Sequence, residues 1–341
     1  GQAQWNHVFS PNVTNQFIVS GSYYRAIFNQ SPDATTTFPY SLNTVGWNLG
    51  VYTSGTYLFG QTYRYPQGRN ATQYQVIDDF SWNKGNHSLK FGVNFRRYDI
   101  TDFNFGLYNE PRIYFSSVSQ FADGTDLYWR QRFTPATEQP VAYYGLGLYA
   151  QDEWRITRNL KVTLALRGEH NSNPVCQTNC IAQMNQPFAL LGQNIDTPYN
   201  QAITSNLNQA YPATDKVNWS PRVGFAWSPF GNDKTVFRGG FGIFYDALPA
   251  SLIEEFAFNP PQLNEFRAKG TYWADPSAAG AAAVASASNT AFLNGFNSGQ
   301  TLTQIQAAVA AVGGTFTAPS YFSSTRTLHT PQYQEWNFQL E

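Results

Sequence analysis

Apolar and polar residues alternate with a period of two along much of this chain. Leu89, Phe91, Val93 and Phe95 stand against Lys90, Gly92, Asn94 and Arg96. Tyr144, Leu146, Leu148 and Ala150 stand against Tyr143, Gly145, Gly147, Tyr149, Gln151 and Glu153, and Leu160, Val162, Leu164 and Leu166 against Lys161, Thr163, Ala165, Arg167 and Glu169. Val223, Phe225 and Trp227 oppose Arg222, Gly224 and Ala226; Phe237, Phe241, Ile243 and Tyr245 oppose Arg238, Gly240, Gly242 and Asp246. At the end of the chain Trp336, Phe338 and Leu340 oppose Glu335, Asn337, Gln339 and Glu341. Neighbouring side chains on a strand point to opposite faces, so each run reads as a strand with one apolar and one polar face. About nine such strands emerge, near 3–9, 16–29, 71–82, 87–101, 141–156, 160–171, 217–228, 234–246 and 332–341. The pattern is broken by Asp78 within Tyr74–Trp82, and between Phe17 and Phe28 neither face is cleanly apolar. Gly46–Leu58 is rich in rings and is a further strand candidate inside a long connection.

A soluble sandwich would also alternate, but three features favour strands that cross a membrane. The runs extend over about 10–14 residues, longer than an ordinary strand and suited to a tilted membrane strand. Connections alternate between short, at Ser10–Asn15, Asn83–Asn86, Thr157–Asn159 and Pro229–Asp233, and long, at about 30–70, 101–140, 172–216 and 247–331. That asymmetry belongs to barrels with tight periplasmic turns and long outer loops. Finally, Trp82, Trp154 and Trp227 each shortly precede a short turn, at the height of an interfacial aromatic girdle. The pattern therefore predicts an all-β fold: residues 1–341 as an antiparallel transmembrane β-barrel section, with long outer loops and minor helix.

Composition agrees. Hydrophobic residues make up 42% of the chain and charged ones only 13%, about half the usual charged share. Aromatic residues reach 17%, more than a core requires but apt for a surface that meets lipid at two interfaces. No stretch approaches the roughly 18 apolar residues of a membrane helix. With 21 basic and 22 acidic residues the formal charge is −1, which gives no basic excess for binding nucleic acid. No signal-like segment opens the chain. An odd strand count, in a class whose single-chain members close with even numbers, further leads to the expectation of a section cut from a larger barrel.

The loops and the polar face are where ligand contact is expected. Within 247–331, Pro260-Pro261, an Ala-rich tract at 278–287 and a helical pattern over Thr301–Val312, with Leu302, Ile305 and Val309 on one side, read as partly helical surface material. It either simply covers the barrel mouth or helps to capture a ligand. Cys176 and Cys180 favour a loop-closing disulfide over a metal site or free thiols. His7, His87, His170 and His329 make no metal-ligand spacing, and no nucleotide or nucleophile-elbow motif occurs. Gly239-Gly240-Phe241-Gly242 lies within an alternating strand, where glycine reduces bulk at a bend or a narrowing of the lumen. Asp78 and Asp79 point to opposite faces and cannot form a catalytic dyad. Arg96, Glu153, Arg167, Glu169, Arg222 and Arg238 are the expected lumen-facing charges, forming a ladder across adjacent strands. No enzyme, metal or cofactor is expected.

The stretch Tyr149-Ala-Gln-Asp-Glu-Trp-Arg-Ile-Thr-Arg-Asn-Leu-Lys-Val-Thr-Leu-Ala-Leu-Arg-Gly-Glu169 resembles a strand pair of TonB-dependent receptor barrels. Trp82-Asn-Lys-Gly-Asn-His-Ser-Leu-Lys-Phe-Gly92 with Phe95-Arg-Arg97 is similar to the adjacent hairpin of their Oar-like subgroup. Ser220–Pro229 and Phe237–Asp246 are similar to a later hairpin. The resemblance implies an outer-membrane barrel of about 22 strands with an N-terminal plug. It also implies import of a scarce nutrient, driven through the inner-membrane TonB complex. Neither plug, TonB box nor regulatory-like domain can be identified in these residues. The expected partners are outer-membrane lipid, the TonB complex through parts outside this chain, and an unidentified small-molecule or peptide ligand. An adhesive or structural surface protein and a small passive pore are the alternative readings.

Overall fold

The computed structural model describes residues 1–28, 46–51, 55–59, 67–103, 112–115, 119, 127–134, 138–187, 190, 194–231, 235–246, 253, 255–270, 280–316, 321–324 and 326–341. Asp233 of the fourth expected turn, Glu254 and the start of the Ala-rich tract lie outside them.

Nine strands run as one antiparallel meander in the order in which the sequence pattern places them. They are β1 (Gln2–Ser10), β2 (Val13–Phe28), β3 (Gln67–Lys84), β4 (His87–Phe103), β5 (Glu138–Arg155), β6 (Leu160–Asn171), β7 (Asn218–Trp227), β8 (Phe237–Tyr245) and β9 (Gln332–Leu340). The short strand Val175–Cys176 continues the sheet beyond β6 by pairing with Val141 and Ala142 of β5. Tight turns close one end of the meander. The β3–β4 turn is typical: Gly85 takes φ 59°, which an L-residue with a Cβ adopts only at a cost, and Lys84 pairs directly with His87. No ladder joins β1 to β9 among the described residues.

Strand length positions the remaining structure. β3 and β5 have 18 residues each. At about 3.3 Å per residue and a tilt of about 45° they stand roughly 40 Å tall, above a hydrocarbon layer of about 30 Å. Their ends opposite the tight turns therefore rise clear of it.

The register fixes the faces. Trp82, Phe80, Asp78 and Val76 of β3 lie opposite Leu89, Phe91, Val93 and Phe95 of β4. These in turn lie opposite Asp152, Ala150, Leu148 and Leu146 of β5. The series continues through Val162, Leu164 and Leu166, Phe225, Val223 and Pro221, then Phe241 and Trp336. This apolar face is open to its surroundings: Leu148 is 56% and Trp336 80% exposed. In β2, the register with β3 assigns Val13, Asn15, Phe17 and Val19 to the apolar face and Gln16, Ser20 and Ser22 to the polar one. Asp78, which breaks the pattern of β3, then has a partner, since the Asn15 amide donates to its carboxylate at 2.7 Å. Asp79, on the other face, accepts from the Tyr149 hydroxyl at 2.7 Å.

Glycines in the wall lie beneath long side chains of the neighbouring strand. A Cβ on Gly92 would overlap the Tyr149 ring and the Asp79 carboxylate, and one on Gly147 would overlap the Arg167 guanidinium. On the apolar face Gly239 underlies Phe225 and Gly168 underlies Trp219. Gly239 thus provides a seat for a ring on the apolar side rather than relief of bulk in the lumen.

The long connections fold together. Gly46–Val51 and Gly55–Phe59 are strands, as their rings imply, but they join an outer sheet and not the wall. That six-stranded sheet combines them with Arg112–Phe115, Leu127–Phe133, Asn264–Gly270 and Gly314–Thr315. Ile181–Met184 pairs with Ile203–Leu207 beside it. Two helices complete the cap, α1 (Ala281–Asn297) and α2 (Leu302–Ala311). α2 matches the helical pattern at Thr301–Val312 and starts with a capping box between Thr301 and Gln304. α1 was not anticipated. Its buried Ala285, Ser288, Phe292 and Phe296 follow helical spacing, and the two phenylalanines pack with Tyr199, Phe266, Ile305, Val309 and Phe316 into a core separate from the wall. The segment 247–331 is therefore in large part a folded unit with buried apolar side chains, not merely surface cover.

Candidate functional site

The polar face is lined by the six charged residues expected there, but they do not form one continuous ladder. Arg96 lies opposite Gln75 and Gly145, and Arg167 opposite Tyr149 and Ser220. Within the set, only Arg167 and Glu169 bond to each other, at 2.9 Å along one strand. Glu153 pairs instead with Lys161, and Arg238 with Glu341 at 3.3 Å. The Arg222 guanidinium lies 4.4 Å from the centre of the Phe244 ring, which stacks on Tyr333 at 5.5 Å. These partners lie on neighbouring strands or two residues along, and period-two reading does not show which of them turn toward each other. Trp82, Trp154 and Trp227 all occupy the apolar face near the tight-turn end.

At the other end the cap rests on the polar face. Ile100 of β4 lies opposite Val141 of β5, and Val141 opposite Cys176. Val141, Cys176, Cys180, Ile181, Ala210, Ile253, Phe256 and Ala257 form a second buried cluster. Ile100 belongs to the series Arg96, Tyr98, Ile100, Asp102, so this cluster turns inward over the polar face instead of outward from the wall. Cys176 and Cys180 form a disulfide at this seat. Asn259, fully buried, joins the segments above: its amide donates to the carbonyls of Ala182 and Phe322 at 2.6 Å each, and its carbonyl accepts from the Phe322 amide at 2.9 Å. All four bonding capacities of a buried side-chain amide cannot often be met in a loop, and here three are.

Beside that seat a recess of about 290 Å³ opens on the outer part of the same face, lined by Tyr24, Phe28, Gln67, Arg69 and Asp102 among others. Arg69 grips Asp102 through two nitrogens, the longer contact being 3.0 Å. Nearby Tyr98 and Tyr143 stack at 4.8 Å. None of these residues was singled out from sequence. The available signal was that, Tyr149 apart, the long strands carry their polar-face aromatics toward their outer ends.

Cap charges are paired across connections. Glu265 accepts from Arg130 at 2.5 Å and from Arg132 at 2.9 Å. Burial pushes its carboxyl upward, but the two guanidinium bonds outweigh that and hold it below the usual carboxylate range. Burial raises the Tyr199 hydroxyl to about 12, and Tyr321, its bonding partner, is raised as well. His329 and the Thr330 amide both bond Asp215, at 2.7 and 2.9 Å, tying the stem of β9 to that of β7. No group of three or more potential metal-ligating side chains occurs among the described residues.

A family description, the outer membrane beta barrel domain, matches residues 1–341. This chain belongs to that family. As an outer-membrane barrel domain it turns its apolar face to lipid and its polar face to the lumen, and its location is the outer membrane. No curated protein matches it. The solved structure of the copper transporter OprC superposes with TM-score 0.36 at 10% identity, over 75% of this chain and 32% of that one. The chain thus spans about a third of the length of that structure, and so loose a likeness says nothing of cargo.

Proposed function

We propose that this barrel domain forms wall and outer cap of a TonB-dependent receptor that imports a nutrient, and that it catalyses no reaction. The observation that carries the reading is the inward seat of the cap, a folded body resting on the lumenal face at Ile100, Val141 and Cys176. A folded cap seated on the lumenal face in this way suits selective capture better than free diffusion. The strand pair at Tyr149–Glu169, similar to TonB-dependent receptor barrels, and the Oar-like hairpin at Trp82–Gly92 support the same reading. The test takes the full-length protein. In planar bilayers it should show no steady conductance, and its periplasmic side should bind the isolated C-terminal domain of TonB. Steady conductance without TonB binding would make it a passive pore. Neither property, together with loss of cell attachment on deleting the gene, would make it an adhesin.

A further inference from the structure

The lipid-facing side of the tight-turn rim carries a group of polar residues for which wall stability offers no reason. Lys84 and His87 face one another across the β3–β4 turn, on the face of Trp82 and Trp154. Each is held by a tryptophan. The Lys84 ammonium lies 5.0 Å from the centre of the Trp82 ring, and the His87 ring stacks on Trp154 at 5.4 Å with an interplanar angle of 15°. Asp152 sits further up the same face, opposite Leu89 and Leu164, where a lone carboxylate would meet hydrocarbon. It bonds His87 Nδ1 at 2.7 Å. The carboxylate accepts, so Nδ1 is the donor; that fixes the ring, and Nε2 offers an N–H to another partner in the imidazolium form.

We propose that this notch seats the phosphate of a phospholipid in the periplasmic leaflet. Three features converge on that ligand. The height is that of headgroups, because tight turns mark the periplasmic rim and tryptophans mark the interface. The Lys84 ammonium stands across the turn from His87, whose Nε2–H donates in the imidazolium form, and the adjacent carboxylate, Asp152, is turned to His87. The flanking rings offer apolar walls to the glycerol and first methylenes of the chains. The neighbouring charges do not compete: Glu153 and Arg155 belong to the opposite face, and Glu153 is bound to Lys161.

The full-length protein in nonionic detergent, titrated with phosphatidylglycerol and followed by native mass spectrometry, tests this. Wild type should retain at least one lipid. Lys84→Gln, which keeps the stem over Trp82 and removes only the charge, should bind about fivefold more weakly, as expected for one juxtamembrane cation. Lys84→Gln with His87→Gln should lose about twentyfold, while Lys84→Arg should retain binding. Heat-modifiable migration on gels confirms that each variant is folded, and Lys84→Gln alone suffices if the double variant is not. Equal retention by wild type and the Gln variants would overturn the proposal. So would displacement of the lipid by millimolar inorganic phosphate, which would mark a general anion site.

Discussion

Phe292→Ala tests whether the cap stands on its own core. Phe292 is completely buried on α1, with the rings of Phe316, Phe266, Phe296 and Tyr199 centred 4.9, 5.9, 5.9 and 6.3 Å away. Every neighbour is itself pinned, Phe266 in the outer sheet and Tyr199 by its hydroxyl bond to Tyr321, so the cavity left by the ring cannot readily collapse. The cost should therefore lie within the range for Phe→Ala in a core, about 3–5 kcal/mol. At roughly 1.4 kcal/mol per tenfold, opening of the cap should become about 10² to 4 × 10³ times more frequent. Hydrogen exchange of the full-length protein in detergent should show this as faster exchange throughout α1, α2 and Asn264–Gly270. The amides of β4 to β6 should keep their protection. Thr290→Ala, on the exposed side of the same helix, is the control and should change little. Unaltered exchange in α1, or loss of protection in wall and cap together, would refute a cap with an independent core.

Other outcomes follow from the same contacts. Glu265 is held below the usual carboxylate range in the folded cap, so its contribution is present above the unfolded value near 4.5 and is lost as pH falls through the lowered one. Exchange in Leu127–Phe133 and Asn264–Gly270 should therefore rise under acid. Glu265→Gln should raise it at neutral pH, costing about 1.5–3 kcal/mol for the lost charged hydrogen bonds. Gly92→Ala should lower the melting temperature of the barrel through an overpacking cost of about 1–3 kcal/mol, and adding Tyr149→Ala should recover much of that loss. Replacing Cys176 and Cys180 by Ser should loosen the seat at Val141 by about 2 kcal/mol, the scale expected for so short a closed loop. Proteolysis between 172 and 187 reads that loosening.

What sequence reveals here, and what it does not, has a physical boundary. Alternation such as Leu89–Phe95 is written into adjacent residues, so all nine wall strands, and the tryptophans near their turns, could be placed before any coordinates. Asn15 and Asp78 are separated by 63 positions and Arg130 and Glu265 by 135; a bond over such a distance leaves no periodic trace. α1 was hidden because its buried stripe is built from Ala285 and Ser288 as well as Phe292 and Phe296. Small and polar residues under a helix look like loop composition, and only the two phenylalanines at helical spacing gave a signal. Period two puts the polar-face charges on one face, but their pairings depend on which side chains turn along a strand and which across.

The outer sheet draws its strands from three of the connections, and the fourth adds its own pair beside it. In such an arrangement loops cease to be separate parts. A loop transplanted from a relative would arrive without the strands it must pair with, and would leave its new neighbours with unfilled edges. Variation in this surface should therefore be inherited as whole caps exchanged over a constant wall, and binding specificity engineered here would have to be moved in the same units.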